Sequence, residues 1–141
     1  MRELKRSDNN SIAINDARSG TEIELYYRNP TSREEALYQA RLVKRKGGKV
    51  IVRSFDTRLD FGLKILTGFR DGDFCVDGQP ISSTPDSPHY REDWKSIVAE
   101  GASDIVRTMA FTVFEGVRVQ SADEIEIEET VEEEPPPLAR S

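Results

Sequence analysis

The chain has 141 residues, the length of one ordinary domain; 36% of them are apolar, 33% are charged, and the net charge is −6. No stretch approaches the roughly 18 consecutive apolar residues of a membrane span, so the sequence excludes a membrane-spanning helix. One histidine and one cysteine are too few to build a zinc site or a Cys–His catalytic pair with its remaining partners.

The first 28 residues predict a polar segment followed by a strand. Residues 1–20 are mainly polar around a short alternating stretch, Ile12 and Ile14. Between residues 21 and 28, every second side chain is apolar or aromatic: Ile23, Leu25 and Tyr27. A period of two is typical of a half-buried strand.

A first helix is expected from residue 32 to about residue 46. Thr31 is a suitable N-cap, and Glu34 three residues later completes a capping box. The pair Gly47-Gly48 is expected to end the helix after a basic last turn. The apolar face that we expect to be buried consists of Ala36, Leu37, Ala40 and Val43.

A short strand and a second helix follow. The segment 50–52 (VIV) is β-branched and follows a glycine pair, which favours a strand. Thr57 is expected to cap the second helix with Asp60 as its N3 partner, and Gly68 is expected to end it. The positions repeating at helical spacing are Leu59, Gly62, Leu63 and Leu66.

Residues 74–81 predict a small β-hairpin. Phe74 and Val76 precede Asp77-Gly78, and Ile81 follows; Asp-Gly between apolar positions is the signature of a type I′ turn. Residues 82–88 are expected to form a loop.

Two more helices are expected after that loop. The third is expected from Ser87, as N-cap before Pro88, to Glu100, with three side chains pointing inward: Trp94, Ile97 and Val98. The fourth is expected from Ser103 to Gly116, with a wide apolar face made of Ile105, Val106, Met109, Ala110, Val113 and Phe114.

Together these elements predict an α+β fold with about four helices, a few short strands and a β-hairpin in a single domain. We expect a polar N-terminal segment over residues 1–20, a globular domain over residues 21–119 and an acidic tail over residues 120–141. Eight acids and one base between Ala122 and Ser141 give this tail a charge of −7 and leave residues 1–121 at +1. So charged and proline-rich a segment is expected to be largely disordered.

The cellular compartment is predicted from two features. The first ten residues, MRELKRSDNN, lack the apolar centre of a secretory signal, so we expect no export by that route. Cys75 has no second cysteine with which to form an internal disulfide. Both favour the reducing cytoplasm, which is the host cytoplasm if the protein is phage-encoded.

Neither candidate metal site has a sufficient ligand set. His89 and Asp93 lie four residues apart, but a metal site needs three or four ligands and the chain has no second histidine. The segments 71–73 (DGD) and 77–78 (DG) resemble parts of a calcium loop without its twelfth-position glutamate. Turn chemistry explains these residues, and we expect no metal and no cofactor.

Catalytic motifs are missing from the sequence. It contains no phosphate-binding glycine loop, no nucleophile elbow and no Ser–His–Asp arrangement with a plausible third member. No pair of carboxylates is singled out by an apolar setting, as an acid–base couple would be. We therefore expect a protein that is not an enzyme.

The densest cluster of like charge is basic. Between residues 41 and 58 the only acid is Asp56, against seven bases: Arg41, Lys44, Arg45, Lys46, Lys49, Arg53 and Arg58. Such a cluster is suited to phosphates or to an acidic protein surface. The alternative is a solvated helix end followed by a charged edge strand that prevents aggregation. The near-neutral charge of residues 1–121 argues against nucleic-acid binding.

Two segments together resemble a known class of proteins. Residues 57–74 (TRLDFGLKILTGFRDGDF) predict a helix followed by a Gly-Asp-Phe turn, and residues 90–115 open with Tyr-x-x-Asp-Trp and end in Phe-Glu. They are similar to small proteins encoded in the tail-gene region of tailed bacteriophages and prophages, the tail assembly chaperone class. The resemblance covers about half of the chain, and its motifs are helix caps and packing positions.

This resemblance implies a small, mostly helical, cytoplasmic and non-enzymatic protein. Proteins of the class coat the tape measure protein while the tail tube polymerises, often as a short form and a frameshift-extended form. The implied partners are phage tail structural proteins, with possible self-association and no membrane. The strand content near the N-terminus departs from a helical-bundle version of the class.

Partner-binding residues are predicted in two groups. The basic group is Arg41, Lys44, Arg45, Lys46, Lys49 and Arg53, and the apolar group on the fourth helix is Ile105, Met109 and Phe111. The apolar face of residues 103–114 is either a client-binding stripe or ordinary core. Two other functions remain open: a structural tail or head–tail connector subunit, and a small nucleic-acid-binding regulator that uses the cluster from Arg41 to Arg58.

Overall fold

The computed structural model describes residues 1–5 and 8–116, with the backbone alone at residues 44–46 and 50–52. Within this part of the chain there are four helices and seven strands, which confirms the predicted α+β class. The acidic tail lies outside the described residues. In chain order the elements are β1 (Asn10–Asp16), β2 (Thr21–Tyr27), α1 (Ser32–Leu42), β3 (Val43–Lys46), β4 (Lys49–Val52), α2 (Ser54–Ile65), β5 (Leu66–Phe69), β6 (Cys75–Val76), β7 (Gln79–Pro80), α3 (Trp94–Gly101) and α4 (Ser103–Glu115).

An antiparallel sheet of three strands, in the order β1-β2-β5, forms one wall of the core. The strand predicted over residues 21–28 is β2, and its Ile23 and Leu25 are buried. Its full-length partner β1 lies within the segment expected to be polar, and the alternating Ile12 and Ile14 pack against the core from it. The N-terminal segment therefore contributes an ordered edge strand.

The start of α1 confirms the predicted capping box. The Thr31 hydroxyl accepts a hydrogen bond from the Glu34 backbone N–H at 3.0 Å, and the Glu34 carboxylate accepts one from the Thr31 N–H at 2.9 Å. Arg28 donates two hydrogen bonds to the same carboxylate, at 2.9 and 2.8 Å. This end of the helix is consequently fixed by both local and charged contacts.

The predicted end and the predicted buried face of α1 are wrong. The helix ends at Leu42, because Val43 is already extended and begins β3. Gly47 and Gly48 have φ angles of +56° and +83° and form the two-residue turn into β4. The side chain that α1 buries is Tyr38, whereas Leu37 and Val43 are 43% and 45% exposed.

The second helix also begins and ends elsewhere than predicted. It starts at Ser54 with Arg53 as N-cap, so Thr57 lies inside α2 and is fully buried instead of capping it. It ends at Ile65, and the predicted stop, Gly68, lies in β5. Gly68 does not end the helix, because it lies within β5, which pairs with β2.

Of the remaining predictions, the hairpin is correct and the third helix begins late. Asp77 and Gly78 have φ angles of +51° and +79°, as a type I′ turn between β6 and β7 requires. A hydrogen bond joins the two ends of the loop after the hairpin: the Ser82 N–H donates to the His89 carbonyl at 2.9 Å. The hydroxyl of Ser87, the predicted cap, accepts a hydrogen bond from the His89 N–H. The helix α3 begins only at Trp94.

The core lies between the three-stranded sheet and α2, α3 and α4. As predicted, α4 spans Ser103–Glu115 and Val98 points inward from α3, with Trp94 half-buried against Phe69 at 5.8 Å between ring centroids. Gly62 allows α2 to approach α4 closely, since a Cβ there would lie 2.8 Å from Val106 Cγ1. The buried apolar members are Ile23, Leu25, Ile65, Leu66, Phe69, Ile81, Val98, Ala102, Ile105, Val106 and Met109.

Candidate interaction surface

The basic cluster predicted from the sequence is centred on a β-hairpin, which we call the basic hairpin (residues 43–53). Its strands β3 and β4 pair from Val43 opposite Val52 to Lys46 opposite Lys49, and they form a sheet of their own. Arg53 closes the base by donating its N–H to the Leu42 carbonyl at 2.8 Å. The segment contains no acid and five bases: Lys44, Arg45, Lys46, Lys49 and Arg53.

The two flanking arginines of the predicted cluster have acidic partners. Arg41, on α1, lies 3.1 Å from a carboxylate oxygen of Asp60 and 5.6 Å from the ring centroid of Phe61. Arg58, on α2, is bound to Glu115 at the end of α4. The other five bases of the cluster lie within residues 43–53, where the sequence contains no acid.

The two helices that flank the basic hairpin both bind one carboxylate. Arg58 donates two hydrogen bonds to Glu115, at 2.7 and 3.0 Å, and the Tyr38 hydroxyl donates a third. Tyr38 lies five residues before Val43, and Arg58 lies five residues after Arg53. We call Tyr38, Arg58 and Glu115 the root cluster.

Burial and hydrogen bonding keep the two donors of the root cluster, Tyr38 and Arg58, protonated. The Glu115 side chain is 10% exposed and that of Arg58 is 27% exposed. Burial, aided by the Glu115 carboxylate, raises the pKa of Tyr38 well above its usual value, so its hydroxyl stays protonated and donates. The hydrogen bonds to Glu115 likewise raise the pKa of Arg58. The cluster is thus a fixed set of donors around one acceptor.

Aromatic rings pack against one another next to the root cluster. The Tyr38 ring stacks on Phe114 with centroids 4.3 Å apart and planes 10° apart, and both rings meet Phe61 edge-on at 5.4 and 5.8 Å. These contacts join α1, α2 and α4. The basic hairpin therefore connects α1 and α2 next to the point where both pack on α4.

Beside the contact of α1, α2 and α4, two exposed phenylalanine rings each have an arginine guanidinium group over them. Phe55 is 44% exposed with the Arg107 guanidinium carbon 4.1 Å from its ring centroid, and Phe111 is 37% exposed with that of Arg58 at 4.9 Å. The Arg107 Nε is buried without a hydrogen-bond partner among the described residues. We call these four residues the aromatic face; it combines apolar area with cationic groups.

The apolar residues predicted on α4 to bind a partner differ in their exposure to solvent. Ile105 is 5% exposed and Met109 is fully buried, so both belong to the core and cannot contact a partner. Phe111 alone reaches the surface, in the aromatic face. Of the two alternatives for residues 103–114, ordinary core therefore applies to Ile105 and Met109, because α4 turns that side toward the sheet and α2.

The candidate metal residues have structural roles. Asp93 pairs with Arg91 at 3.1 Å, and His89 is exposed. Asp71 accepts a hydrogen bond from the Ser82 hydroxyl at 2.6 Å, and Asp73 accepts one from the Glu24 N–H at 2.8 Å. Among the described residues, no group of three His, Cys, Asp or Glu side chains could hold a metal ion.

A cleft of about 250 Å³ opens between the β1–β2 turn, β6 and the α3–α4 junction. Its floor is apolar, with Phe74 and Ile97 among the lining residues, and its rim carries the carboxylates of Asp16, Asp73 and Asp104. Asp16 accepts hydrogen bonds from the Ser19 hydroxyl and the Arg18 N–H, which hold its pKa below the usual value. No sequence pattern indicates this cleft, because its lining comes from four separate segments.

The aromatic face and the root cluster were also missed from the sequence. One local signal for the hairpin was present, since Gly47-Gly48 lies just before the β-branched run 50–52 and Gly-Gly is a common two-residue hairpin turn. None of the described helices is long and apolar enough to cross a bilayer. No protein-family model matches the chain, and no curated protein or solved structure matches it.

Proposed function

We propose that this protein is a non-enzymatic binding protein of the tail assembly chaperone class, which holds a structural client such as a tape measure protein during phage tail assembly. The class comes from the sequence resemblance over residues 57–74 and 90–115. The observation that carries the binding role is the aromatic face, where Phe55 and Phe111 remain exposed under arginines beside a hairpin with five bases.

The chemistry of this surface selects a type of client. The phenylalanines offer apolar contact area, and the hairpin bases attract carboxylates over the distance that salt screening allows. A long client segment with apolar residues on one side and acids on the other would be held by many weak contacts of this kind. Such binding requires no catalytic group, which agrees with the structural roles of Asp71, Asp73 and Asp93.

Coexpression with a phage tape measure protein tests the proposal. The wild-type chain is expected to keep that client soluble and to copurify with it, while Phe55→Ser/Phe111→Ser loses the complex and remains folded by circular dichroism. Tyr26→Ser is the matched control, because Tyr26 is an exposed aromatic residue on β2. Equal copurification by the wild type and the double variant would overturn this role for the surface.

The finished virion distinguishes a chaperone from a structural subunit. A chaperone is absent from purified particles, whereas a tail or head–tail connector subunit remains in them in stoichiometric amount. Mass spectrometry of purified virions therefore decides between these two functions, with the tube protein as the internal standard.

Nucleic-acid binding is the second candidate, and the acid-free basic hairpin favours it, because two-stranded ribbons bind in DNA grooves. The test is binding to random duplex at several salt concentrations. Each phosphate contact contributes about −0.9 to the slope of log K against log salt. Alanine at Lys46 and Lys49 would make the slope shallower if the hairpin binds DNA, whereas Phe55→Ser would leave it unchanged.

A further inference from the structure

The last described residues lie where the basic hairpin is anchored. Glu115 ends α4 and accepts hydrogen bonds from Tyr38 and Arg58, the residues five positions outside the two ends of the hairpin. With a rise of about 1.5 Å per residue along a helix, each lies within about 8 Å of the hairpin base along the helix axis. The acidic tail therefore continues the chain from the root of the most basic segment.

The two segments have opposite charges of similar size. The basic hairpin carries +5, and residues 122–141 carry −7 from eight acids and Arg140. The acids form two groups, the first within 123–129, where Glu124, Glu126 and Glu128 alternate with isoleucines, and the second at 132–134. Charge complementarity of this kind is the condition for attraction between tethered segments.

The connection is long enough to reach along the hairpin. Eight residues lead from Gly116 to Glu124, and a chain of that length reaches at most about 28 Å. Each strand of the hairpin has four residues, which corresponds to about 13 Å. Tethering at this distance gives an effective concentration on the order of millimolar, so that weak ionic contacts suffice for binding.

We propose that the acidic tail binds the basic hairpin of its own molecule and competes there with anionic partners. The tail occupies the hairpin when no partner is present, and a partner must displace it, so that strongly anionic surfaces are accepted and weakly anionic ones are rejected. This inference does not depend on the identity of the client, since it concerns one chain in isolation.

Amide chemical shifts of the full-length protein test the inference. The wild type is compared with a full-length variant in which all seven glutamates of residues 124–134 are replaced by glutamine, a change that touches none of the described residues. At about 10 mM salt, where the Debye length is about 30 Å, we expect shift differences concentrated on residues 43–53. At about 1 M salt, where it is about 3 Å, the two spectra should converge over that segment.

A second variant tests whether neutralising acids elsewhere on the chain has the same effect. Asp86, Glu92 and Glu100 are exposed acids of the folded part, and their neutralisation as Asp86→Asn/Glu92→Gln/Glu100→Gln is expected to leave the hairpin amides unshifted. Identical wild-type and glutamine-variant spectra at low salt would overturn the inference. Differences centred on another surface would overturn it as well, and so would differences that grow with protein concentration, because they would reveal binding between molecules.

Discussion

The hydroxyl of Tyr38 donates a hydrogen bond to the carboxylate of Glu115, 77 residues later in the chain. This contact joins the middle of α1 to the end of α4, and Arg58 of α2 binds the same carboxylate. Three helices therefore meet at one acid that is 10% exposed. Removal of this carboxylate should destabilise the whole domain and the base of the basic hairpin.

Glu115→Gln is expected to lower the free energy of unfolding by about 2–4 kcal/mol, because it leaves the partly buried Arg58 without its ion pair. Tyr38→Phe keeps the stacked ring and should cost about 1–2 kcal/mol for the lost hydrogen bond. Urea denaturation measures both values. Asp93→Asn, which breaks the exposed Arg91–Asp93 pair, is the control and should cost under about 1 kcal/mol. A Glu115→Gln cost as small as that of the control would contradict the role of the root cluster.

Stability should depend on pH through Glu34. The hydrogen bonds from Arg28 hold the pKa of Glu34 at about 2, against a usual value of 4.5. Because the folded pKa is the lower one, the ionised carboxylate stabilises the fold above about pH 4.5, and this contribution is lost as the pH falls toward 2.

Glu34→Gln isolates this charge, since glutamine can still complete the capping box. We expect a loss of about 1–2 kcal/mol at pH 7, a value reduced for solvent screening of the partly exposed pair. The difference from wild type should narrow between pH 5 and pH 3 in urea denaturation. Glu35→Gln, at an exposed neighbour, serves as the control. A wild-type advantage that stays constant over this range would rule out the ion pair as its source.

Gly62→Ala is expected to destabilise the protein by about 1–3 kcal/mol, because the added Cβ would lie 2.8 Å from Val106 Cγ1 and 3.0 Å from the Val106 carbonyl oxygen. Gly101→Ala is the matched control. Gly101 ends α3 in open space, where alanine should be neutral or stabilise by up to about 1 kcal/mol. Thermal denaturation compares the two variants, and a Gly62→Ala protein as stable as the wild type would show that α2 and α4 can separate without cost.

Ending the chain after Gln120 should leave the unfolding transition almost unchanged, because every described member of the buried core lies within residues 12–114. Calorimetry of the full-length and shortened chains at about 0.5 M salt measures this. A loss of more than about 1–2 kcal/mol would be a large share of ordinary stability and would contradict the prediction. The high salt separates this question from attraction between the tail and the hairpin.

Local signals predicted the fold where one short segment determines the outcome. The Thr31–Glu34 capping box and the Asp77-Gly78 turn are correct, because each depends on the backbone of neighbouring residues. The same capping pattern failed at Thr57, since burial of Phe61 and Ile65 decides where α2 lies. It failed at Ser87 because the hydroxyl of that residue accepts a local hydrogen bond from the His89 N–H, and α3 begins only at Trp94.

The candidate surface could be predicted only in part. Its bases are visible as a charge cluster in the sequence, but the partners of Arg41 and Arg58 are 19 and 57 residues away. No periodicity encodes such pairs. The aromatic face was missed for the same reason, because Arg107 reaches Phe55 across a helix–helix contact.

The position of α4 determines when the newly made chain can finish folding. It is the last described element to leave the ribosome, and it supplies Val106, Met109 and Ala110 to the interior. Until then, Phe61 and Ile65 on α2 have no complete apolar surface against which to pack. A nascent chain paused before residue 103 should therefore be sensitive to proteases and prone to bind general folding factors.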